Sequence, residues 1–590
     1  MRPEVRQVFS TIQRIRTWYA LILLLGGLFT IRLFYLQVIR HDYYQKSANF
    51  SQLKQYEIPA SRGVIEAKSG DKTVPLVLNE TLYTLFADPQ YVKDPADAAS
   101  KIQQAIGGSK DDYESKIKHP DSPRYMILAK RLNRDQDDKI TKLKLKGIGT
   151  REAQFRTYPD GQLASQILGF VNDDGDGKYG LEQGLDKELK GIPGQLKAIT
   201  DASGVPLAAN KDNVMLAPQA GNKLTLTIDI GLQQQLEDIV KQGAEDTKAE
   251  SASAIIMDAN SGAIRAMAGY PTYNPAEYYK VTDTKVFNNM STTAPLEVGS
   301  VMKPLTAAAA IDKGVVSPST SYFDPGVYKV DDARVTNIEE DGGAATRTVT
   351  DILKYSLNTG ATWLLMQMGG GEINKQARTT WNDYMVNHYQ LGKATGIEQG
   401  YEDDGVIPDP LNGYGLNITY ANSAFGQGMT ATPIQMGAAF ASIVNGGVYY
   451  KPTLIESKTD SDGKTLKQQP KIIKSDVVKA GVSSELVDML QITYEHNRVV
   501  YGMRQTRPEY SIGGKTGTAQ ISKPTGGYYD DLFNGMYLGF VGGDKPQYVI
   551  VVRVDKPHIA GYAGSKAAAP IFVKLANMVI DSYGVTPKSN

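Results

Sequence analysis

The stretch Pro295-Leu296-Glu297-Val298-Gly299-Ser300-Val301-Met302-Lys303-Pro304 runs into an alanine-rich segment, Ala307 to Ala310. A helix beginning near Ser300 sets a serine hydroxyl and a lysine amine one turn apart on the same face. A serine is a poor nucleophile at neutral pH until a base takes its proton. An amine kept neutral by burial or by a neighbouring cation can be that base. Ser-x-x-Lys also arises by accident in many helices, as a capping serine and a solvated lysine. Its meaning therefore depends on what else the chain carries.

Downstream lie Ser356-Leu357-Asn358 and, after Ile512-Gly513-Gly514, the run Lys515-Thr516-Gly517-Thr518. Alone, the first reads as a turn or cap and the second as a strand end. In the order Ser-x-x-Lys, Ser-x-Asn, Lys-Thr-Gly they form the set found in penicillin-binding proteins and serine β-lactamases. Acyl transfer explains the residue types: a nucleophile (Ser300), a base (Lys303), a proton relay to the leaving amine (Ser356, fixed by Asn358) and donors for the developing oxyanion. Gly517 lets substrate approach the backbone. The Thr518 and Ser300 amides suit an oxyanion hole, and Lys515 with Thr516 suits a substrate carboxylate.

Composition narrows the alternatives. At 590 residues the chain is too long for one core, and about three or four units are expected. Lys plus Arg and Asp plus Glu balance at 64 each, which removes a bulk electrostatic case for nucleic acid. Cysteine is absent, excluding disulfides, thiolate metal sites and a cysteine nucleophile. His41, His119, His388, His496 and His558 lack ligand spacing, so neither a histidine metal centre nor a Ser-His-Asp triad is expected. No cofactor is expected.

Arg2, Arg6, Arg14 and Arg16 precede an apolar run from Trp18 that continues past Arg32 to Ile39. A helix over 17–39 reaches about 34 Å, enough for a hydrocarbon core of ~30 Å. The arginines predict a cytoplasmic N-terminus, with Trp18, Tyr19 and Tyr35 at the interfaces. No small-residue cleavage pattern follows, so the segment reads as an uncleaved anchor. Next comes an α+β module. It has short strands at 74–78 and 81–86, helices at 101–106 and 136–145, and a loop at His119-Pro120-Asp121-Ser122-Pro123. Asn172-Asp173-Asp174-Gly175-Asp176-Gly177 resembles the front of a calcium loop, but Gln183 stands where a bidentate glutamate belongs, and a hairpin turn is expected instead. The last domain opens with a strand at 224–229 and a helix at 231–248. Hairpins at 252–268 and 537–554 and a helix at 567–583 imply a sheet assembled from both ends of the domain, with a helical subdomain beside it.

Taken together, these motifs are similar to those of class B penicillin-binding proteins, monofunctional peptidoglycan transpeptidases. The resemblance extends over nearly the whole chain. Arg32 to Ile39 with Tyr43-Tyr44 resembles the family's membrane exit, Pro59 to Ile65 the start of its pedestal, and Tyr158 to Gly194 the pedestal's end. Phe425-Gly426-Gln427-Gly428, Thr432-Pro433-Ile434-Gln435 and Asn445-Gly446-Gly447 resemble signatures of its transpeptidase domain. The resemblance implies an α+β multidomain protein: a cytoplasmic tail (1–16), a single transmembrane helix (17–39), an elongated pedestal of the dimerisation type (40–221) and a transpeptidase domain with an antiparallel sheet flanked by helices (222–590). It implies stem peptides ending in D-Ala-D-Ala as donors, an acyl-Ser300 intermediate, transfer to a neighbouring stem-peptide amine, and acylation of Ser300 by β-lactams. Partners implied are the lipid membrane, a polytopic membrane glycosyltransferase, and divisome or elongasome proteins. Length and Phe170 to Asp174 lean toward a division role.

Two positions depart from the family pattern. Ala67-Lys68 replaces an Asp-Arg pair, removing an expected ion pair, and Val298 replaces a proline two residues before the nucleophile. The competing readings are an elongation-type enzyme, a carboxypeptidase or β-lactamase on the same fold, and a catalytically silent scaffold for a cell-wall polymerase.

Overall fold

A computed structural model describes residues 3–44, 53–119, 125–199, 214–337, 343–502, 507–523 and 526–589. Pro120 to Pro123 of the expected loop lie outside them. The chain divides into two compact units, one of residues 1–61 with 191–220 and one of 62–190 with 221–590.

In the smaller unit a helix Pro3–Phe34 runs into a five-residue π-helical turn, Tyr35–Ile39. Within it Arg14–Ile39 has a mean hydropathy of 2.0 and is long enough to cross a membrane. Arg32, the one charge inside the apolar run, lies over the Tyr35 ring at 5.5 Å. The Arg40 Nε donates to the Tyr35 hydroxyl at 2.9 Å, the kind of aromatic-cation belt that suits a membrane boundary. The unit also holds a three-stranded sheet of Leu53–Ile58, Gly194–Ile199 and Val214–Leu216.

The larger unit is organised on a five-stranded antiparallel sheet. Its order is Ile264–Tyr270, Ser251–Asp258, Pro546–Asp555, Tyr528–Gly542, Ser511–Ser522. Both expected hairpins are present, and the ends of the domain meet where Ser251–Asp258 pairs with Pro546–Asp555. Successive side chains of a strand point to opposite faces. Accordingly Ile255, Val551 and Phe540 join one core while Ile256, Ile550 and Val541 join the other. On the second face lie the helices Ile230–Thr247 and Ala569–Ser582. On the first lies the helical subdomain, including Lys303–Asp312, Asn358–Met368 and Pro433–Val444. A sheet buried on both faces explains why its strands read as continuous apolar runs.

A second, seven-stranded sheet departs from expectation in two ways. The strand Lys223–Asp229 does not enter the central sheet; it pairs in parallel with Ile65–Ser69 and antiparallel with Ile455–Thr459. The runs 74–78 and 81–86, expected as two strands, are one strand, Lys72–Ala87. Asn79, between those two runs, donates its side-chain amide to the Arg62 carbonyl at 2.5 Å and accepts the Arg156 guanidinium at 2.7 Å. Here Glu182, fully buried, receives Arg156 at 2.8 Å and Arg62 at 2.5 Å. Lys68 does find an ion partner, Glu456 at 2.8 Å.

Asn172 to Gly177 forms the turn of a small hairpin between Phe170–Val171 and Gly177–Lys178. Its oxygens are committed locally: Asn172 Oδ1 accepts the amides of Asp174 and Asp176, Asp176 pairs with Lys190 at 3.0 Å, and Asp173 pairs with Lys130 at 2.9 Å.

Candidate active site

Gly299 begins the turn that carries Ser300 with φ +61°, a left-handed conformation that glycine adopts without steric cost. A Cβ here would sit 2.7 Å from the Thr518 carbonyl, and one at Gly517 would sit 2.7 Å from the Val298 carbonyl. Glycine at both positions thus lets the Lys515–Thr518 segment lie directly against the turn. The chain then makes a single 3₁₀ turn, Gly299–Met302, before the α-helix Lys303–Asp312. In 3₁₀ geometry positions i and i+3 eclipse, so Ser300 and Lys303 align more closely than an α-helix would bring them. Pro304 sits in the helix's first turn, where its missing N–H costs nothing. Val298 is fully buried, filling core volume behind the turn.

The helix is fixed from several sides. Ala307 to Ala310 are all fully buried, and their small side chains admit close neighbours. Thr306 donates to the Ala424 carbonyl at 2.8 Å and accepts the Trp381 indole N–H at 3.0 Å. Tyr389 donates to the Leu305 carbonyl at 3.0 Å.

Lys303 is fully buried, and its Nζ donates to Asn358 Oδ1 at 2.9 Å, to Ser356 Oγ at 3.2 Å and to the Ser356 carbonyl. Lys515, also buried, reaches the same Ser356 Oγ at 2.9 Å and the Thr516 carbonyl at 3.0 Å. Ser356 has φ +59°, a conformation a non-glycine residue keeps only when its surroundings impose it. Its hydroxyl is thereby suspended between two amines. The Asn358 amide is pinned by donating to the Thr336 carbonyl at 3.1 Å.

Ser511–Ser522 is an edge strand of the central sheet, so alternate backbone groups face away from its one partner strand. Lys515 and Gly517 are buried, while Thr516 and Thr518 are half-buried. Thr518 Oγ1 accepts the Gly564 amide at 2.9 Å, holding this part of the strand from behind. Lys303, Ser356, Asn358 and Lys515 thus form one hydrogen-bonded cluster, and the turn that carries Ser300 lies against the Gly517-Thr518 backbone.

Sequence reasoning missed Glu297. Its Oε1 accepts the Gly428 amide at 2.9 Å and the Tyr528 hydroxyl at 3.0 Å, joining the turn that carries Ser300 to the Phe425–Gly428 turn and to the strand after the Lys515 strand. Burial pushes the Glu297 carboxyl above its usual range, against those two hydrogen bonds. Burial and the neighbouring Glu297 push the Tyr528 hydroxyl up as well. The signal available was position alone: an acid three residues before the serine.

Residues 252–577 match the family described as the penicillin binding protein transpeptidase domain, and residues 57–226 match the penicillin-binding protein dimerisation domain. Stage V sporulation protein D of Bacillus subtilis is 30% identical over 95% of this chain and 84% of its own length. The peptidoglycan D,D-transpeptidase FtsI of Escherichia coli is 28% identical over 96% of this chain and 90% of its own. A crystal structure of penicillin-binding protein 3 from Mycobacterium tuberculosis, complexed with aztreonam, superposes with a TM-score of 0.68. It is 25% identical and covers 90% of this chain and 98% of its own. With motif order, site geometry and both domain matches in agreement, the chain belongs to the penicillin-binding protein family, as a membrane-anchored member of class B carrying a serine D,D-transpeptidase domain.

Proposed function

We propose that this protein cross-links peptidoglycan stem peptides through an ester on Ser300, with Lys303 as the base. The observation that carries the assignment of roles is the Ser356 hydroxyl held between the Lys303 and Lys515 amines. Ser300 Oγ attacks the carbonyl of the penultimate D-alanine as its proton passes to Lys303. The proton travels by way of Ser356 to the departing D-alanine amine, and the amides of Ser300 and Thr518 hold the oxyanion. Burial of Lys303 and a second cation across one hydroxyl both disfavour charge on its amine, as a base requires. Lys515 and Thr516 hold the donor's terminal carboxylate. An acceptor amine then attacks the ester carbonyl, gives up a proton through the same relay, and releases Ser300 as a hydroxyl. A β-lactam enters by the first step and stops at the ester.

Arginines before the apolar helix support a cytoplasmic N-terminus with the catalytic domain outside. A polytopic membrane glycosyltransferase that supplies glycan strands is the partner that fits this arrangement. The likeness to FtsI and the Phe170–Asp174 stretch support action in division rather than elongation.

The experiment is incubation of the purified protein with a donor peptide ending in D-Ala-D-Ala and an acceptor amine. Equal yields of D-alanine and cross-linked peptide are expected. D-alanine with hydrolysed donor only would make the protein a carboxypeptidase.

A further inference from the structure

A buried carboxylate behind the Ser-x-Asn segment has no part in the chemistry above. Asp324 is 1% exposed and makes no ion pair among the described residues. Its oxygens are met by neutral donors: the Gly326 amide at 2.8 Å on Oδ1, and the Thr359 hydroxyl at 2.8 Å and Asn337 Nδ2 at 3.1 Å on Oδ2. Asn337 in turn accepts the Thr359 amide at 3.1 Å through its Oδ1. Thr359 follows Asn358 directly and is itself fully buried. Thr336, next to Asn337, supplies the carbonyl that pins the Asn358 amide at 3.1 Å.

A carboxyl group buried this deeply persists only where its oxygens are satisfied by hydrogen bonds. A serine at φ +59° persists only where its surroundings over-determine it. Both features meet in one network. The hairpin Val327–Val330 with Ala333–Thr336 and the turn before Asn358–Met368 are joined by Asp324 at their base. Tyr322, two residues before Asp324, stacks on Trp363 of that helix with ring centroids 4.2 Å apart.

We infer that Asp324 is a positioning residue for acyl transfer: through Thr359 and Asn337 it holds Ser356 and Asn358 against Lys303. It touches no reacting atom. The inference rests on the reading of Ser300 as the acylated residue and Lys303 as its base.

The test uses the full-length protein in detergent, with Asp324→Asn, Thr359→Val, Asn358→Ala and the pair Asp324→Asn/Asn358→Ala. The second-order rate of acylation by a fluorescent penicillin is measured across pH, together with thermal unfolding. Thr359→Val is nearly isosteric and keeps the test decisive if Asp324→Asn fails to fold. Each single change is expected to slow acylation about tenfold or more and to displace the pH limb that Lys303 governs, as groups acting as a unit do. The pair is expected to be no slower than Asn358→Ala alone, because residues in one hydrogen-bonded network are not additive. Wild-type rates and pH profile in folded Thr359→Val or Asp324→Asn, or multiplied losses in the pair, would overturn the inference. Ser300→Ala separates the two layers. An adduct on that variant would defeat the reading of the nucleophile, whereas unlabelled Ser300→Ala beside fully active Asp324→Asn would defeat only the role of Asp324.

Discussion

Lys303 and Lys515 place their ammonium nitrogens on the same oxygen, Ser356 Oγ, at 3.2 and 2.9 Å. They come from distant parts of the chain and are both buried, Lys303 in the helical subdomain and Lys515 on the edge of the central sheet. The Ser356 hydroxyl thereby links the Ser-x-x-Lys helix to the Lys-Thr-Gly strand through a single oxygen.

Lys303→Ala is expected to lower the acylation rate constant by at least about a thousandfold, the upper range for loss of a general base. Asn358 and Ser356 would also lose a shared donor. The rate of covalent labelling by a fluorescent penicillin checks this, and labelling at the wild-type rate would remove Lys303 from the base role.

Gly299→Ala is expected to destabilise the catalytic domain by about 2–4 kcal/mol, combining a left-handed alanine with overpacking. The added methyl would press on the Thr518 carbonyl 2.7 Å away and push the Lys515 strand off the nucleophile turn. Thermal unfolding and labelling rate should fall together. A stable variant with slow labelling would place the whole effect in the oxyanion geometry.

Glu297→Gln carries a pH signature. Because burial holds the Glu297 carboxyl above its usual range, the folded chain binds that proton more tightly than the unfolded chain. Wild-type stability therefore falls as pH rises from the ordinary carboxylate pKa through the raised one, and the cost stays constant above it. The glutamine variant lacks this dependence. Between about pH 4 and pH 8 the difference in melting temperature should move in the variant's favour. A pH-independent difference would mean that Glu297 titrates normally.

Glu182→Ala leaves the guanidinium of Arg156, 2% exposed, and that of Arg62 without their shared carboxylate. Breaking a buried pair this way costs about 3–5 kcal/mol. Protease susceptibility of residues 62–190 should rise. Penicillin labelling of Ser300 should persist, because its cleft shares no residue with this network.

The candidate site was named from motif order, because acyl transfer restricts residue types, and the structure brings Lys303, Ser356, Asn358 and Lys515 into one hydrogen-bonded cluster. The β-hairpins of the central sheet were equally plain, since apolar runs with turn residues between them have few other uses. Long-range partnerships were not. Nothing in Lys68 announces Glu456, and nothing in the Lys223–Asp229 strand announces that it pairs with Ile65–Ser69 instead of joining the central sheet. The strand Lys72–Ala87 was expected as two because nothing in the sequence announces that the Asn79 side chain is committed to Arg62 and Arg156. Asp324 was invisible for a similar reason: Asp-Pro-Gly reads as a solvated turn, and only its neighbours across the fold reveal a buried carboxylate.

Intact-mass measurement of the protein after incubation with benzylpenicillin, alongside Ser300→Ala, bears on every role assigned above. One covalent penicilloyl adduct is predicted on the wild-type chain, mapping to the peptide that contains Ser300, and none on the variant. An unmodified wild-type chain, or an adduct that survives in Ser300→Ala, would contradict the assignment.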